Sequence, residues 1–332
     1  MRFDVRYHTV FTYDEPASES QNELRACPVG DSSQRLIDYR LTIEPAARVH
    51  SFLDAFGTRV DAFGIRRPHM RMEVVAEASV ETSPRPLPPS APRMDALGDL
   101  QFLDDNILFL QRDRHTDYGS LVAEAARRQA EFAGDDVVSS VLAVHRFVGS
   151  AILYLPGSTE VGIAVDDVLA GGKGVCQDYA HLAVAMCRSL GIPARYVSGY
   201  LFTDDDSSGG EATGDTVHVQ THAWFEAAIP GWGWLSLDPT NGQVVGERHV
   251  KIGHGRSYDD VQPLRGVFLG PASSVVRPSV QIQRMSSEEL WRSTHSSGHT
   301  GPTGVPTAHI TSAPRPFQPI GSMQQQQAQQ QQ

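Results

Sequence analysis

Cysteine is scarce in this sequence. Only three of the 332 residues are cysteine, and Cys27, Cys176 and Cys187 lie far apart in the chain. An odd number of widely spaced cysteines does not make a disulfide framework, so we expect free thiols and a reducing compartment. Long apolar runs are also missing: no stretch could cross a bilayer, and charges interrupt residues 1–6, where a signal peptide needs an apolar segment. We therefore expect a cytoplasmic protein with no membrane partner.

Basic residues are outnumbered by acidic ones. The chain has 28 Lys and Arg against 39 Asp and Glu, which gives a net charge of −11. Binding to the phosphates of nucleic acids needs clustered Lys and Arg, and no segment provides such a cluster. We therefore expect no nucleic-acid partner and interpret the acidity as a contribution to solubility.

Common metal-binding motifs are missing as well. Cys176, His181 and Cys187 have spacings that match no zinc finger or ribbon. The loop at residues 203–216 carries three consecutive aspartates but lacks the ligand spacing of an EF-hand, so calcium binding there is disfavoured and stays an open question. We expect no obligatory metal, and no motif indicates a cofactor.

The hydrophobic pattern changes along the chain. Up to residue 82, apolar and polar residues alternate as in half-buried strands, which predicts an antiparallel β domain over 1–82. The proline-rich run 83–93 predicts an extended linker, because proline lacks an amide donor and favours polyproline geometry. Residues 94–285 form the predicted second domain. The remaining segment, 286–332, is rich in Ser, Gly, Pro, Thr and Gln and is predicted to be disordered.

Three helices are expected in the second domain. The first covers residues 120–132, and the second is capped by Asp135 or Asp136. The third begins at Cys176, after a glycine-rich approach, and ends at Leu190, because Gly191 and a following proline stop it. The predicted buried positions are Val138, Val141, Leu142, His145, Val148 and Ile152 on the second helix, and Ala180, Ala183, Val184, Cys187 and Leu190 on the third. His145 is interpreted as a core or boundary histidine, and Cys187 as a small buried apolar residue.

Strand-like runs follow at residues 194–202, 217–229 and 234–238. The last two are separated by a Pro-Gly-Trp-Gly turn, which is typical of a hairpin. Pairing the strands back from this turn brings His222 within about two positions of Asp238. Side chains so placed can form a hydrogen bond if both face the same side of the sheet.

Cys176, His222 and Asp238 together suggest a nucleophile, its base and a residue that orients the base. A free thiol is mostly protonated at neutral pH, and a nearby imidazole together with the positive end of a helix would activate Cys176. Each of the three residues taken singly is more simply structural. Their combination with the glycine-rich approach and the hairpin favours a catalytic site.

Several motifs resemble the transglutaminase-like superfamily, in its bacterial branch with an N-terminal β domain. They are the segments GVCQDYAH at 174–181, GIPARYVSGY at 191–200, HAW at 222–224 and DPTNG at 238–242, with ELR at 23–25, GRSYDDV at 255–261 and RG at 265–266. The resemblance covers residues 1–284. It implies an α+β fold in which the N-terminal antiparallel β domain precedes a papain-like core, with the helix bearing Cys176 packed on an antiparallel sheet bearing His222 and Asp238.

The resemblance also implies a chemistry. Cys176 would be the nucleophile, His222 the general base and then acid, and Asp238 the orienting residue, with a thioester formed from an amide of a protein or peptide substrate. The backbone amide of Cys176 would help to hold the oxyanion, and Tyr154 is a candidate second donor. A core tyrosine is the simpler interpretation of Tyr154.

Three functions remain open from the sequence. The first is acyl transfer from a glutamine side chain or another amide to an amine or to water. The second is a cysteine peptidase or amidase that uses water alone, and the third is a binding module that keeps the fold without using the site. The sequence does not choose the acceptor, the physiological substrate, the oligomeric state or the role of the glutamine-rich end.

Overall fold

The computed structural model describes residues 1–89, 91–160, 162–203, 216–219, 221–270, 273–285 and 318–319. Over these residues it contains five α-helices, three antiparallel sheets of five strands each and a two-stranded parallel sheet. In this part of the chain no helix combines the length and the apolar character that crossing a membrane requires.

The helices and strands are numbered in chain order. The helices are α1 Leu100–Asn106, α2 Ser120–Ala133, α3 Val137–Ala151, α4 Val165–Gly171 and α5 Cys176–Ser189. The strands are β1 Arg2–Ala17, β2 Glu19–Leu24, β3 Gln34–Glu44, β4 Val49–Leu53, β5 Arg59–Ile65, β6 His69–Thr82, β7 Leu153–Tyr154, β8 Lys173–Gly174, β9 Ala194–Leu201, β10 Thr216–Val219, β11 Thr221–Ile229, β12 Gly233–Asp238, β13 Gln243–Val244, β14 His249–Gly255, β15 Leu264–Leu269, β16 Ser274–Arg284 and β17 Gln318–Pro319.

The first segment of the chain is all β, as its alternating pattern predicts. Along the start of β1, Phe3, Val5 and Tyr7 are buried while the intervening side chains are exposed to varying degrees. One sheet has the strand order β10-β16-β1-β6-β3, and a second has the order β17-β15-β2-β5-β4. Side chains from these two sheets form one hydrophobic core, to which Tyr200 and Val250 of the third sheet also contribute.

Strands from the end of the described chain complete the first two sheets. β16 pairs with β1 from Phe3 opposite Arg284 to Tyr13 opposite Ser274. β15 pairs in the same antiparallel manner with β2, where Leu264 lies opposite Leu24. The predicted second domain, 94–285, therefore includes two strands whose hydrogen-bond partners lie in the first segment.

The third sheet carries the candidate site. Its order is β13-β12-β11-β9-β14, and α5 packs on β11 and β9 with α2, α3 and α4 around it. This arrangement confirms the predicted α+β fold, with the Cys-bearing helix on an antiparallel sheet. The end of α5 is also as expected, since Gly191 adopts a φ of 75°, a conformation that glycine enters at little cost.

The three predicted helices correspond to α2, α3 and α5, whereas α1 and α4 were not predicted, and the buried faces were predicted only in part. Asp136 caps α3 by accepting a hydrogen bond from the backbone N of Ser139 at 2.7 Å. On α3, Val138 and Leu142 are only partly buried, whereas Val137 and Val144 are fully buried. On α5 every side chain from residue 178 to residue 188 is buried. The single predicted stripe on α5 was too narrow, because the helix is covered by other helices on one side and by the sheet on the other.

The predicted strand 217–229 is two strands in different sheets. β10 joins the N-terminal sheet, where Val217 lies opposite Ile282, whereas β11 lies between β9 and β12. Continuous alternation in a sequence does not reveal where a chain passes from one sheet to another. Of the predicted acidic loop, residues 204–215 lie outside the described residues.

The proline-rich linker is anchored where it begins. The backbone N of Ser83 donates to the carbonyl O of Ser33 at 2.8 Å, and Arg85 pairs with Asp31 at 3.1 Å. The predicted disordered tail lies outside the described residues, except for β17, which pairs with β15 at Val267 and Phe268.

Candidate active site

Cys176 is the first residue of α5, as the sequence predicts. The first amides of a helix have no partner within it, so this position combines a thiol with free N–H groups and the positive end of the helix dipole. The Asp178 carboxylate accepts hydrogen bonds from the backbone N of Val175 at 2.9 Å and from Thr159 Oγ1 at 2.6 Å. A Cβ at Gly174 would lie 2.8 Å from Asp178 Oδ2, so the glycine allows the carboxylate to fold back over the helix start.

The hairpin brings His222 and Asp238 together. Its register runs from Ile229 opposite Gly233 to Phe225 opposite Leu237, which places His222 diagonally across from Asp238. The distance from His222 Nε2 to Asp238 Oδ2 is 2.8 Å, and the His222 side chain also forms a hydrogen bond with Cys176. The three residues predicted from the sequence are thus adjacent in the order thiol, imidazole, carboxylate.

Electrostatics at this site favour a charged imidazole. Burial opposes protonation of His222, but the Asp238 carboxylate and then Cys176 outweigh burial and raise the pKa of His222 to about 10. Burial likewise opposes ionisation of Asp238, yet His222 and the other hydrogen-bond donors hold the pKa of this carboxyl well below its usual range. The pair is therefore an imidazolium and a carboxylate at neutral pH.

Asp238 is fully buried and accepts hydrogen bonds at both oxygens. Oδ1 accepts from the backbone N of Thr240 at 3.0 Å and of Asn241 at 3.3 Å. Oδ2 accepts from Asn241 Nδ2 at 2.8 Å and from His249 Nε2 at 3.3 Å, in addition to His222. These hydrogen bonds hold the carboxylate next to His222. They also stabilise its negative charge, although the group is buried from solvent.

Asn241 and His249 are contacts that were not predicted from the sequence. Asn241 lies in the DPTNG motif, and its position three residues after Asp238 is a signal of an Asx-type turn that could have identified it. His249 comes from β14, at the far edge of the sheet, and no local spacing connects it with Asp238. His145 is buried, as expected, and its Nε2 contacts the backbone carbonyl O of Asp238 at 3.0 Å.

A pocket opens at Cys176. Its lining combines the start of α5 with side chains of β9, β11 and the 3₁₀ turn Tyr258–Asp260. The lining residues are Val175, Cys176, Gln177, Tyr196, Ser198, Thr221, His222, Ala223, Tyr258 and Pro263. Apart from His222 and the thiol, this lining has no charged side chain, so it suits a neutral group such as an amide.

Trp224 forms the wall behind the histidine. Its ring is fully buried, and its centroid lies 6.1 Å from that of His222 and 5.3 Å from that of His249. Gly199 lies opposite His222 in the β9–β11 ladder, and a Cβ there would come within 2.5 Å of the Trp224 ring. Glycine at this position therefore makes room for the indole.

Tyr154 lies beside the start of α5. It pairs with Gly174 in the parallel β7–β8 ladder, and its ring centroid is 6.5 Å from that of Tyr179. The side chain is 46 % exposed, so it is not a core tyrosine. Burial of part of the ring and then the proximity of Cys176 raise the pKa of Tyr154 to about 12, which keeps its hydroxyl protonated.

One group of side chains in the described residues has the composition of a metal site. His222, Asp238 and His249 each offer one ligand atom, and these atoms lie within 4.8 Å of one another. The hydrogen bonds to Asp238 already account for this proximity, because each ring nitrogen donates to the carboxylate. The zinc set considered in the sequence is not assembled, since His181 and Cys187 are buried within α5, away from its start.

Comparisons with known proteins agree with the fold and the motifs. Residues 123–239 match the model of the transglutaminase-like superfamily, and residues 3–81 match that of the bacterial transglutaminase-like N-terminal region. The chain belongs to the transglutaminase-like superfamily, which confirms the resemblance noted in the sequence.

Its relatives are similar over different lengths. An uncharacterized protein of Mycobacterium leprae is 36 % identical over 287 residues, which cover 86 % of this chain and 99 % of that protein. A protein-glutamine gamma-glutamyltransferase of Pseudomonas aeruginosa is 36 % identical over 123 residues, which cover 36 % of this chain and 18 % of that protein. Among solved structures, a candidate cysteine protease from Cytophaga hutchinsonii has a TM-score of 0.64 and 25 % identity, over 86 % of this chain and 92 % of that one.

Proposed function

We propose that this protein is a thiol enzyme that transfers an acyl group from an amide, through a thioester on Cys176, to an amine or to water. The observation that supports it most is the continuous hydrogen-bonded series from Cys176 through His222 to the buried carboxylate of Asp238. Chance proximity of three such residues would not also supply a helix start at the thiol and a neutral pocket beside it.

In the proposed first step, the Cys176 Sγ thiolate attacks the carbonyl carbon of the amide. A C–S bond forms, and the carbonyl π electrons move to oxygen, which the backbone N–H of Cys176 would stabilise. Tyr154 is the candidate second donor, supported by its protonated hydroxyl and its place beside the start of the helix. The ring nitrogen of His222 that faces the thiol then gives its proton to the departing amine or ammonia as the C–N bond breaks.

In the second step, the thioester is resolved. An amine or a water molecule attacks the acyl carbon while neutral His222 removes its proton, and the C–S bond breaks to return the thiolate. Asp238 would hold the imidazole in one tautomer and stabilise its charged form throughout. No step requires a cofactor.

A peptidase or amidase with water as sole acceptor is the second candidate. The similarity to the Cytophaga hutchinsonii protein over most of both chains favours it. A binding module without catalysis is disfavoured, because each member of the triad is present and hydrogen-bonded. Three free cysteines support the proposal of a reducing, cytoplasmic location, where the nucleophile would persist.

Mass spectrometry of a glutamine-containing protein incubated with the enzyme and a labelled primary amine tests the proposal. Amine incorporation that is lost in Cys176→Ala would establish acyl transfer to amines. Deamidated or cleaved product that depends on Cys176 would instead identify a hydrolase. Cys176→Ser serves as a second control, because it keeps a polar group of similar size in the pocket.

A further inference from the structure

We propose that His249 is a positioning residue for the triad: it acts as a neutral donor to Asp238 Oδ2, sharing this oxygen with His222 and moderating the basicity of the imidazole. This inference rests on the proposed function of Cys176, His222 and Asp238. The geometry that carries it is the meeting of two imidazole nitrogens at one buried oxygen, 2.8 Å from His222 Nε2 and 3.3 Å from His249 Nε2.

Hydrogen bonding fixes the tautomer of His249. The backbone N of Gly246 donates to His249 Nδ1 at 3.3 Å, so Nδ1 is an acceptor and carries no hydrogen. The single ring hydrogen is therefore on Nε2, where it can only be donated to Asp238. The return bond, from the backbone N of His249 to the carbonyl O of Gly246 at 3.1 Å, closes this turn and holds the ring in place.

The surroundings keep His249 neutral. The side chain is buried, the Trp224 indole packs edge-on against it, and burial lowers the pKa of His249. Charged groups near it are Asp238, which favours protonation, and His222 and Arg85, which oppose it. From α5 the thiol of Cys176 faces His222, while His145 of α3 forms hydrogen bonds with the backbone of Asp238 and of Gln243.

A neutral donor at Oδ2 has a defined effect on the reaction. It draws part of the carboxylate charge toward itself, so Asp238 stabilises the imidazolium of His222 less than it would if Asn241 Nδ2, at 2.8 Å, were the only other side-chain donor at Oδ2. A less basic His222 gives its proton more readily to the departing amine, while the hydrogen bond prevents the carboxylate from turning away. His249 thereby keeps the Asp238 carboxylate oriented toward His222 and also helps His222 to release its proton.

The test compares two variants of the full chain in a Cys176→Ser background, where no thiolate contributes to the titration. His249→Leu removes the donor and fills much of the same space, whereas His249→Gln places an amide N–H near the position of Nε2. The titration of His222 is followed by ¹H–¹⁵N NMR of histidine-labelled protein. We expect the midpoint for His222 to rise by about 0.5–1 pH unit in His249→Leu and to return toward the parent value in His249→Gln.

The same spectra of the parent protein report the tautomer of His249, which should be neutral with hydrogen on Nε2 at pH 7. A downward shift or no shift of the His222 midpoint in His249→Leu, or an Nδ1–H tautomer for His249, would overturn the inference. A purely structural role predicts a loosened Asp238 and therefore the downward shift. Thermal unfolding of each variant is measured alongside, so a variant that fails to fold is recognised. In that case the tautomer of His249 in the parent protein decides whether the inference holds.

Failure of the proposed function would be seen separately. The rate at which iodoacetamide alkylates Cys176 in the otherwise unchanged chain reports the activated thiol. If that rate at pH 6 is no higher than for a free thiol, the proposed function fails. A fast rate with an unshifted His222 midpoint in His249→Leu would refute the role of His249 alone.

Discussion

His145 donates a hydrogen bond from Nε2 to the backbone carbonyl O of Asp238 across 3.0 Å. A carbonyl oxygen can only accept, so this ring nitrogen carries hydrogen, and burial lowers the pKa of His145 and favours the neutral ring. The bond ties α3 to the end of β12, where the strand delivers its carboxylate to the site. α3 contributes no group to the proposed reaction. It nevertheless fixes the backbone of Asp238, whose side chain does contribute to it.

Removal of this tie is expected to reduce both stability and activity. In His145→Leu the carbonyl of Asp238 loses a buried partner, and we expect the free energy of unfolding to fall by about 1–3 kcal/mol. The turnover number should fall at least as steeply as in His145→Gln, which keeps a donor. Urea unfolding and amine incorporation measure the two effects. Equal activity of His145→Leu and the parent enzyme would contradict a role in placing Asp238.

Asp238→Asn is expected to lower turnover by roughly 10²–10⁴-fold, because an amide neither stabilises imidazolium nor selects the same tautomer of His222. The charge change is matched by Asp104→Asn on the exposed surface of α1, which should leave turnover unchanged. Rates of amine incorporation for the two variants, each normalised to folded protein, provide the comparison. Similar losses in both would remove Asp238 from the proposed mechanism.

The pH dependence of stability follows from the same pair. The raised pKa of His222, about 10 against an ordinary 6.5, contributes stability that is fully present below pH 6.5 and is lost as pH rises toward 10. The lowered pKa of Asp238 contributes stability that is present above the ordinary 3.8 and is lost as pH falls further. The stability difference between the parent and Asp238→Asn should therefore be largest between pH 3.8 and 6.5. Urea unfolding from pH 4 to pH 10 measures it, and a difference that grows toward pH 10 would disprove this sign.

Gly199→Ala is expected to damage the site through packing. The added Cβ would lie 2.2 Å from the carbonyl O of Val250 and 2.5 Å from the Trp224 ring, so β14 and the indole must both shift. We expect a loss of about 1–3 kcal/mol in stability and a displaced His222 with reduced turnover. Gly30→Ala is the matched control, since no atom lies within 4 Å of the position that its added methyl would take and its φ is ordinary. Comparable melting temperatures for the two variants would show that the close approach is relieved at little cost.

Glu226 is the centre of a buried charge cluster on β11, the strand that also carries His222. Its Oε2 contacts Arg195 and Lys251, each at 2.6 Å, and Ser236 donates to Oε1 at 2.7 Å. Glu226→Gln removes the carboxylate that both buried cations contact, so we expect the free energy of unfolding in urea to fall by about 3–5 kcal/mol.

The control for Glu226 is an exposed ion pair. Glu77 pairs with Arg6 at 3.2 Å on the surface, and Glu77→Gln should change stability by about 1 kcal/mol or less, because water screens this pair. A loss for Glu226→Gln within that smaller range would mean that the neighbouring cations lose their charge or reach water.

Alkylation should distinguish the three thiols. Cys27 and Cys187 are buried, and burial raises the pKa of their thiols to about 11 and about 12, so both stay protonated and covered at pH 7. Cys176 is partly accessible and hydrogen-bonded to His222. We expect iodoacetamide to label Cys176 alone in the folded protein, with peptide mapping as the measurement. Labelling of Cys187 at a similar rate would require α5 to open.

The sequence was sufficient wherever a structural signal is local. The start of α5 follows from the glycine-rich approach, and its end follows from Gly191 and the proline after it. The contact between His222 and Asp238 follows from a four-residue turn that sets the register of the two strands. The approach of His249 could not be predicted, because β14 reaches the sheet by pairing with β9, about fifty residues earlier. The change of sheet between β10 and β11 was hidden for the same reason, since alternation along a strand carries no information about its neighbours.

The position of β16 affects how the chain folds during its synthesis. β1 lies between β6 and β16, so one side of this strand has no partner until residue 284 has left the ribosome. The N-terminal segment emerges first, yet its sheet is completed only after the whole region that carries the candidate site has been translated. Ribosome-bound chains that end before β16 would therefore expose the edge of β1, a long strand with alternating apolar residues, and would be expected to depend on chaperones until translation passes that point.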